Sequence, residues 1–127
     1  MKSKLIDNHG RIAKKLRVSV TDRCNMKCMY CMPKNNKKWF DDSEVLTFDE
    51  IVRLSSILAS LGVEKIRLTG GEPLVRPCIE NLIKSITKIP HINSVGLTTN
   101  GLLLLDKVEI LKSSGLESVN ISLDSFK

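Results

Sequence analysis

Strand-like and helical segments alternate along this chain, and that alternation limits its fold more than any other feature. Apolar and polar residues alternate over 16–21, and further strand-like runs follow at 65–69, 94–99 and 118–123. Because a helical segment separates each strand from the next, neighbouring strands should run parallel with right-handed crossovers. The sequence therefore predicts an open α/β architecture, either a doubly wound sheet or part of a (βα) barrel.

Local signals mark where the three helices begin and end. Thr47 and Glu50 form the capping-box pattern that predicts a helix start, and Gly62 is placed to end that helix. A second helix is predicted after Pro77, and Gly115 should end a third. In both candidate architectures ligands bind at the carboxyl ends of the strands. Functional residues are therefore expected in four segments: 22–31, 69–73, 98–101 and 122–125.

Three of the four cysteines cluster directly after the first strand. Cys24, Cys28 and Cys31 form a C-x3-C-x2-C pattern at the predicted ligand-binding edge. Three thiols cannot all pair with one another, so a metal site is favoured over a disulfide framework. Three closely spaced thiolates suit a cubane iron–sulfur cluster with one iron left open for another ligand.

A structural zinc site is the alternative for the same cysteines. Zinc in such sites takes four ligands, usually from two closely spaced pairs. The fourth ligand here would come from Cys78, His9 or His91, none of which belongs to a recognisable second pair. The pattern favours the iron–sulfur cluster, and a non-catalytic zinc-binding module is the competing hypothesis.

The net charge of +6 is concentrated in the first third of the chain. Residues 1–40 carry eleven Lys and Arg against two Asp, whereas residues 41–127 carry nine against twelve Asp and Glu. A basic segment can attract an anionic ligand, but five aromatic residues supply few platforms for base stacking. The sequence also lacks an apolar run near the roughly 20 residues of a membrane span. We therefore expect a cytoplasmic protein without nucleic-acid or membrane partners.

The cysteine pattern resembles the signature of the radical S-adenosylmethionine (SAM) superfamily. The Gly-Gly-Glu-Pro sequence at 70–73, which ends the second strand, is similar to that superfamily's second motif. The resemblance implies that Cys24, Cys28 and Cys31 ligate a [4Fe–4S] cluster whose open iron binds SAM. It implies that reductive cleavage of SAM then yields a 5′-deoxyadenosyl radical. It also implies a partial (βα) barrel of about four parallel strands and three helices.

Longer segments narrow the resemblance to the GTP 3′,8-cyclase branch of molybdenum cofactor biosynthesis. These segments are 16–24, 64–73, 97–102 and 119–125. The similarity runs from about Gly10 to Phe126. It implies that the radical removes a ribose hydrogen from GTP and that the carbon radical closes onto C8 of guanine, giving 3′,8-cyclo-7,8-dihydro-GTP. Another radical SAM reaction is the alternative within the enzyme class.

The resemblance also implies which residues bind SAM. They are Tyr30, Gly70, Gly71, Glu72 and Ser122. The two glycines have a physical reason of their own, because a residue without Cβ lets backbone polar groups approach a ligand closely. Ser122 has a plainer alternative as an ordinary strand residue.

GTP would be bound by Arg17, Arg67 and Thr98, with Lys65 as a weaker candidate, again by resemblance. The planar fork of arginine suits phosphate oxygens. Arg17 and Arg67 have a plainer alternative, since a charged side chain in a strand can simply face solvent. Thr98 has one as an ordinary strand residue. No residue is predicted to act as a general acid, base or nucleophile.

By resemblance, residues 1–127 form the N-terminal part of a radical SAM core domain. Family members continue the barrel to six βα units and add a second cluster that holds guanine. After Cys31 only Cys78 remains here, so the C-terminal barrel strands and the second-cluster domain are expected to be absent. An inactive truncated fragment is therefore a further hypothesis. The partners expected by resemblance are GTP and a reductant for the cluster, with a homodimer left open.

Overall fold

The sheet decides between the two architectures that the sequence leaves open. A computed structural model describes residues 3–25 and 39–123. Its strands are Lys15–Ser19 (β1), Lys65–Thr69 (β2), Ser94–Thr99 (β3) and Ser118–Ile121 (β4). They lie in the order β1-β2-β3-β4 and pair in parallel. A doubly wound sheet reverses its strand order at a switch point, whereas a barrel keeps the order of the chain. The predicted partial (βα) barrel is confirmed.

Three α-helices connect these strands in the part of the chain that the structure describes. They are Phe48–Ser60 (α1), Ile79–Thr87 (α2) and Leu104–Ser113 (α3), joined by short 3₁₀ helices at Asp42–Glu44 and Pro73–Val75. The predicted capping box begins α1. The Thr47 hydroxyl accepts a 3.2 Å hydrogen bond from the Glu50 N–H, and the Glu50 carboxylate accepts a 2.7 Å bond from the Thr47 N–H. Two of the four orphan N–H groups of a helix start are satisfied in this way.

One face of the sheet packs against the helices and holds the core. Alternate strand residues such as Ile66, Leu68 and Leu97 are fully buried there. Helix α1 packs against α2, and α2 packs against α3. Parallel strands in chain order with right-handed crossovers place their helices on a single face, as observed. Further fully buried core residues come from the helices and the connection before α2: Ile51, Leu74, Ile79, Leu82, Ile83, Ile86 and Leu111.

The opposite face, here called the inner face, is polar. Strand register places Arg17 beside Arg67, Arg67 beside Gly96, and Gly96 beside Ser118. In a closed barrel this face would point toward the interior. The inner face comprises Lys15, Arg17, Ser19, Lys65, Arg67, Thr69, Ser94, Gly96, Thr98, Ser118 and Asn120.

Two strands end earlier than the sequence pattern predicts. β1 ends at Ser19 and β4 at Ile121, each two residues before the expected end. Single backbone bonds still link the next residues to the sheet, from the Val20 N–H to the Thr69 carbonyl and from the Ser122 N–H to the Thr99 carbonyl. After β1 the ladder stops because the chain bends at Asp22 and leaves the sheet to form the loop at the carboxyl edge.

Candidate functional site

The loop after β2 is bound directly to the segment that carries the first cysteine. The Gly71 N–H donates a 2.8 Å hydrogen bond to the Thr21 carbonyl, and the Glu72 N–H donates a 2.7 Å bond to the Arg23 carbonyl. Residues 70–73, called the glycine loop below, therefore pack against residues 21–23. The two motifs singled out in the sequence meet at one edge of the sheet, as expected for the carboxyl ends of neighbouring parallel strands.

Both glycines of this loop are required by that packing. A Cβ on Gly70 would lie 2.6 Å from the Thr21 carbonyl oxygen, and one on Gly71 would collide with the Arg23 carbonyl oxygen. Backbone atoms cannot move aside as the end of a flexible side chain can. The glycines thus permit a close approach between two loops of the protein, whereas the sequence suggested an approach to a ligand. That they also contact SAM stays a prediction.

Glu72 anchors the glycine loop from inside the protein. Its side chain is 1% exposed, and its carboxylate accepts hydrogen bonds from the Leu74 N–H, the Thr99 hydroxyl and the Asn100 N–H at 3.2, 2.6 and 2.7 Å. A buried carboxylate must be hydrogen-bonded to be tolerated. The bonds from Thr99 and Asn100 fix the glycine loop to the end of β3, and the bond from Leu74 holds the turn that follows the loop. The predicted contact of Glu72 with SAM remains untested.

Asn100 connects the end of β3 to the first cysteine, a role that sequence reasoning missed. Its side-chain N–H donates to the Asn25 side-chain oxygen at 2.8 Å and approaches the Cys24 sulfur at 3.9 Å. Its side-chain oxygen accepts from the Leu102 N–H, which is the turn function that the Asn-Gly pair suggested. The position of Asn100 could have indicated this role, since it follows a strand at the ligand-binding edge.

Cys24, the one predicted cluster ligand among the described residues, has surroundings that suit an iron–sulfur thiolate. Cys24 is half-buried at the carboxyl edge, and its sulfur lies near an amide N–H donor, as is favourable for a thiolate. Cys28, Cys31 and Tyr30 lie outside the described residues. Within residues 3–25 and 39–123, three or more His, Cys, Asp or Glu side chains do not gather as a metal site would require.

A cationic cavity occupies the inner face, from the amino ends of the strands up to the Arg17 and Arg67 row below the carboxyl edge. It has a volume of about 450 Å³ and is lined by Lys15, Arg17, Lys65, Arg67 and their neighbours, none of which is acidic. Arg17 and Lys65 are exposed. Three of the four predicted GTP contacts therefore line one cavity.

Arg67 lies across β3 in this cavity. Its guanidinium donates to the Leu97 carbonyl at 3.2 Å and to the Ser118 hydroxyl at 3.4 Å. A Cβ on Gly96 would lie 2.9 Å from a terminal nitrogen of Arg67, so the guanidinium occupies the space above this glycine. The fourth predicted contact, Thr98, lies on the same face, and its buried hydroxyl has no hydrogen-bond partner among the described residues.

Comparison with known proteins then gives the family. The sequence-family model of the radical SAM superfamily matches residues 18–127. The chain belongs to the radical SAM superfamily. The expected cofactors of this radical SAM chain, a [4Fe–4S] cluster and SAM, are those of its family, and the resemblance inferred from residues 24–31 and 70–73 is confirmed.

Curated relatives support the narrower resemblance. The chain is 52% identical over 121 residues to the GTP 3′,8-cyclase of Clostridium perfringens and 47% identical over 124 residues to that of Streptomyces coelicolor. These alignments cover 95% and 97% of the chain but 38% and 36% of the relatives. The radical SAM chain thus spans little more than a third of the length of these curated relatives.

Solved structures agree on the fold. The radical SAM chain aligns to BtrN in an open conformation with a TM-score of 0.67, covering 92% of this chain and 53% of BtrN at 21% identity. BtrN in complex with AdoMet and 2-DOIA aligns with a TM-score of 0.64 at 21% identity, covering 87% of this chain and 46% of BtrN. None of the helices in the described residues is long and apolar enough to cross a membrane.

The remaining predicted site residue is at the open side of the sheet. Ser122 follows β4, and its N–H donates to the Thr99 carbonyl at 2.9 Å, which places it beside the end of β3. Its side chain is exposed. Ser122 thus lies at the same edge as Gly70, Gly71 and Cys24, and its predicted contact with SAM stays a prediction.

Proposed function

We propose that this chain forms the SAM-binding edge and the phosphate-binding part of a GTP 3′,8-cyclase. The cationic cavity of the inner face carries the proposal, together with relatives of that name at about half identity over nearly the whole chain. Because the chain spans 38% of the first of these relatives, turnover is assigned to the longer protein or to a complex that completes it.

The arrangement of the four cations argues for an anionic ligand. Register places Lys15 directly beside Lys65 and Arg17 directly beside Arg67. Like charges on directly paired strand positions repel each other and destabilise a sheet. An unneutralised double row of this kind therefore works against folding, whereas a bound triphosphate would turn the repulsion into charge-assisted hydrogen bonds.

The position of the cavity suits a nucleotide whose phosphates lie deep in the barrel. The Arg17 and Arg67 row is two residues below Ser19 and Thr69 at the carboxyl edge. Two strand residues rise about 6.6 Å, so the sugar and base would extend toward the edge that carries Cys24. The register places Thr98 on β3 level with Thr69, nearer the carboxyl edge than Arg67. Its unpartnered hydroxyl offers a donor and an acceptor to the nucleotide there.

The carboxyl edge would hold the two cofactors of the family. Cys24, Cys28 and Cys31 would ligate the cluster, and SAM would lie against the glycine loop, Tyr30 and Ser122. When bound, the two cofactors supply a 5′-deoxyadenosyl radical that removes a hydrogen atom from the substrate. The chain itself contributes positioning, because Arg17 and Arg67 fix the triphosphate while Glu72 holds the glycine loop. A reductant, a cytoplasmic location and a homodimer remain predictions.

Anaerobic reconstitution tests the cofactor part of the proposal. The chain should take up about four irons and four sulfides, and after reduction it should cleave SAM to 5′-deoxyadenosine. Stoichiometric zinc without sulfide would instead favour the zinc-binding module.

Calorimetric titration with GTP tests the substrate part. Arg17→Ala should weaken GTP binding by about tenfold or more, since charge-assisted hydrogen bonds are the strong ones. Lys112→Ala, on the outer helix α3, is the matched loss of one positive charge and should leave the affinity unchanged. Equal affinities in the two variants would contradict the assignment of the cavity to GTP.

A further inference from the structure

One guanidinium joins the two ends of the segment that carries the cysteines. The Arg76 side chain donates hydrogen bonds of 2.7 Å to the Val20 carbonyl and 2.7 Å to the Leu46 carbonyl. Val20 is the first residue after β1, and Leu46 is the second residue before α1. Residues 21–45 are called the cysteine segment below. The residues that flank this segment on either side are thus both bonded to the Arg76 side chain.

Arg76 is itself held by the glycine loop. It ends the 3₁₀ helix Pro73–Val75, and its N–H donates to the Pro73 carbonyl at 3.2 Å. The Arg76 guanidinium carbon lies 4.4 Å from the centre of the Phe48 ring in the first turn of α1, which makes a cation–π contact. The side chain is partly buried, and this burial lowers the pKa of Arg76 from its ordinary value. Arg76 therefore connects three elements: the end of β1, the start of α1 and the glycine loop.

Further contacts join the two arms of the cysteine segment closer to the cysteines. The Asp22 carboxylate accepts a 2.7 Å hydrogen bond from the Phe40 N–H. Arg23 and Asp42 form a 3.5 Å ion pair between exposed side chains, which contributes little in water. The Asp22 bond joins the two arms a second time beyond the Arg76 bridge, and the Arg76 bridge fixes the base of both arms.

We propose that Arg76 is a positioning residue that holds the two ends of the cysteine segment together and against the glycine loop, ready for the cluster. The inference rests on the proposed role of Cys24, Cys28 and Cys31 as cluster ligands. Closing a long loop is entropically unfavourable, and a planar fork that bonds two carbonyls at once offsets that entropy before any metal arrives. Lysine retains the charge and the long stem, but its single ammonium group does not reproduce this fork.

The test compares Arg76→Gln and Arg76→Lys with Arg53→Gln, which removes an exposed arginine from α1. Amide hydrogen exchange in the metal-free protein is the first measurement. In Arg76→Gln, exchange over residues 21–25 and 39–45 should accelerate by about tenfold while the core strands keep wild-type rates, because only local opening becomes easier. Arg76→Lys should give an intermediate acceleration, and Arg53→Gln none.

The second measurement uses the reconstituted protein. Loss of iron to a chelator should be about tenfold faster in Arg76→Gln than in Arg53→Gln, and the electron paramagnetic resonance signal of the reduced cluster should broaden. Exchange and iron loss at wild-type rates, with a lower melting temperature only, would make Arg76 an ordinary stability residue and overturn the proposal. If the wild-type chain takes up no cluster, the proposed function fails, whereas hydrogen exchange still decides whether Arg76 closes the segment.

Discussion

The Thr99 hydroxyl donates a 2.6 Å hydrogen bond to the Glu72 carboxylate and so ties the end of β3 to the glycine loop. The other two partners of this carboxylate, the Leu74 and Asn100 N–H groups, are donors as well. Glu72 is buried, so water does not replace a bond that is lost. The shape of the glycine loop is therefore built into the protein before any ligand binds.

Glu72→Gln should destabilise the protein by about 2 kcal/mol, because its side-chain N–H would meet a donor and remain unpaired in a buried site. Urea unfolding followed by circular dichroism measures the change. Glu109→Gln, on an exposed position of α3, is the matched control and should shift the free energy of unfolding by no more than about 0.5 kcal/mol. Equal stabilities of the two variants would show that the hydrogen bonds of Glu72 do not hold the loop.

Gly71→Ala should destabilise the chain by about 3 kcal/mol or more, since its Cβ would collide with the Arg23 carbonyl and a well-packed site tolerates little extra volume. The same urea experiment applies. Gly10→Ala separates the effect of conformation from that of collision, because Gly10 has a φ of +78° but open space at its Cβ position. It should lose only about 1–2 kcal/mol, the penalty for a left-handed residue with a side chain. A Gly71→Ala protein no less stable than Gly10→Ala would contradict the packing described for the two loops.

The N-terminal turn should respond to acid through Asp7. The backbone N–H and the guanidinium of Arg11, with the His9 N–H, lower the pKa of the Asp7 carboxyl. When the pKa of a carboxyl group is lower in the folded than in the unfolded chain, the group stabilises the fold at pH values above its unfolded-state pKa. This stabilisation is lost as the pH falls through the folded-state pKa. Titration of the Asp7 carboxyl carbon by NMR should therefore give a midpoint below the ordinary value for aspartate. Arg11→Gln keeps the backbone N–H but removes the guanidinium, so it should move that midpoint upward in part. An unchanged midpoint would disprove the effect of the Arg11 guanidinium.

Local signals in the sequence were sufficient to predict the elements but not the contacts of the site. The capping box at Thr47 and Glu50 needs residues three apart, so its geometry follows from a helix alone. The bond between Glu72 and Thr99 joins the loop after β2 to the end of β3, and only the pairing of the two strands brings these residues together. Arg76 shows the same limit, since nothing in its neighbourhood along the chain indicates the carbonyls of Val20 and Leu46.

The type of a residue indicates some features of its surroundings but does not identify the neighbour it contacts. Cys78, one of the three possible fourth ligands of a zinc site, precedes α2 at the helix start with an exposed side chain and a φ of 61°. The sequence indicates a need for glycine at 70 and 71, but the neighbour that requires it is protein backbone. Gly96 carries no such signal, because a glycine inside a strand gives no sign of which side chain crosses it.

Gly96→Val should weaken binding of a nucleoside triphosphate by displacing Arg67. A Cβ at this position would lie 2.9 Å from the Arg67 guanidinium nitrogen and 2.8 Å from the Ser118 hydroxyl, and both groups are side-chain ends that can move. Folding should therefore survive, helped by the higher β propensity of valine. If Arg67 contacts the phosphates through its two-pronged fork, the loss of that alignment should reduce the affinity for GTP by about tenfold.

Calorimetry with GTP, run beside thermal unfolding, separates the two effects of this substitution. Ser94→Ala is the control, because it alters the lining of the same cavity without touching the space above Gly96. Its affinity for GTP should stay within about twofold of the wild type, since neither a charge nor the alignment of Arg67 is lost. Arg67→Lys should bind as weakly as Gly96→Val, because a lysine keeps the charge but not the planar fork. Combining the two substitutions should add little, since both act on one contact and non-additivity is the signature of a shared partner. Tight GTP binding by Gly96→Val would show that the observed alignment of Arg67 across β3 is not the one that the phosphates use.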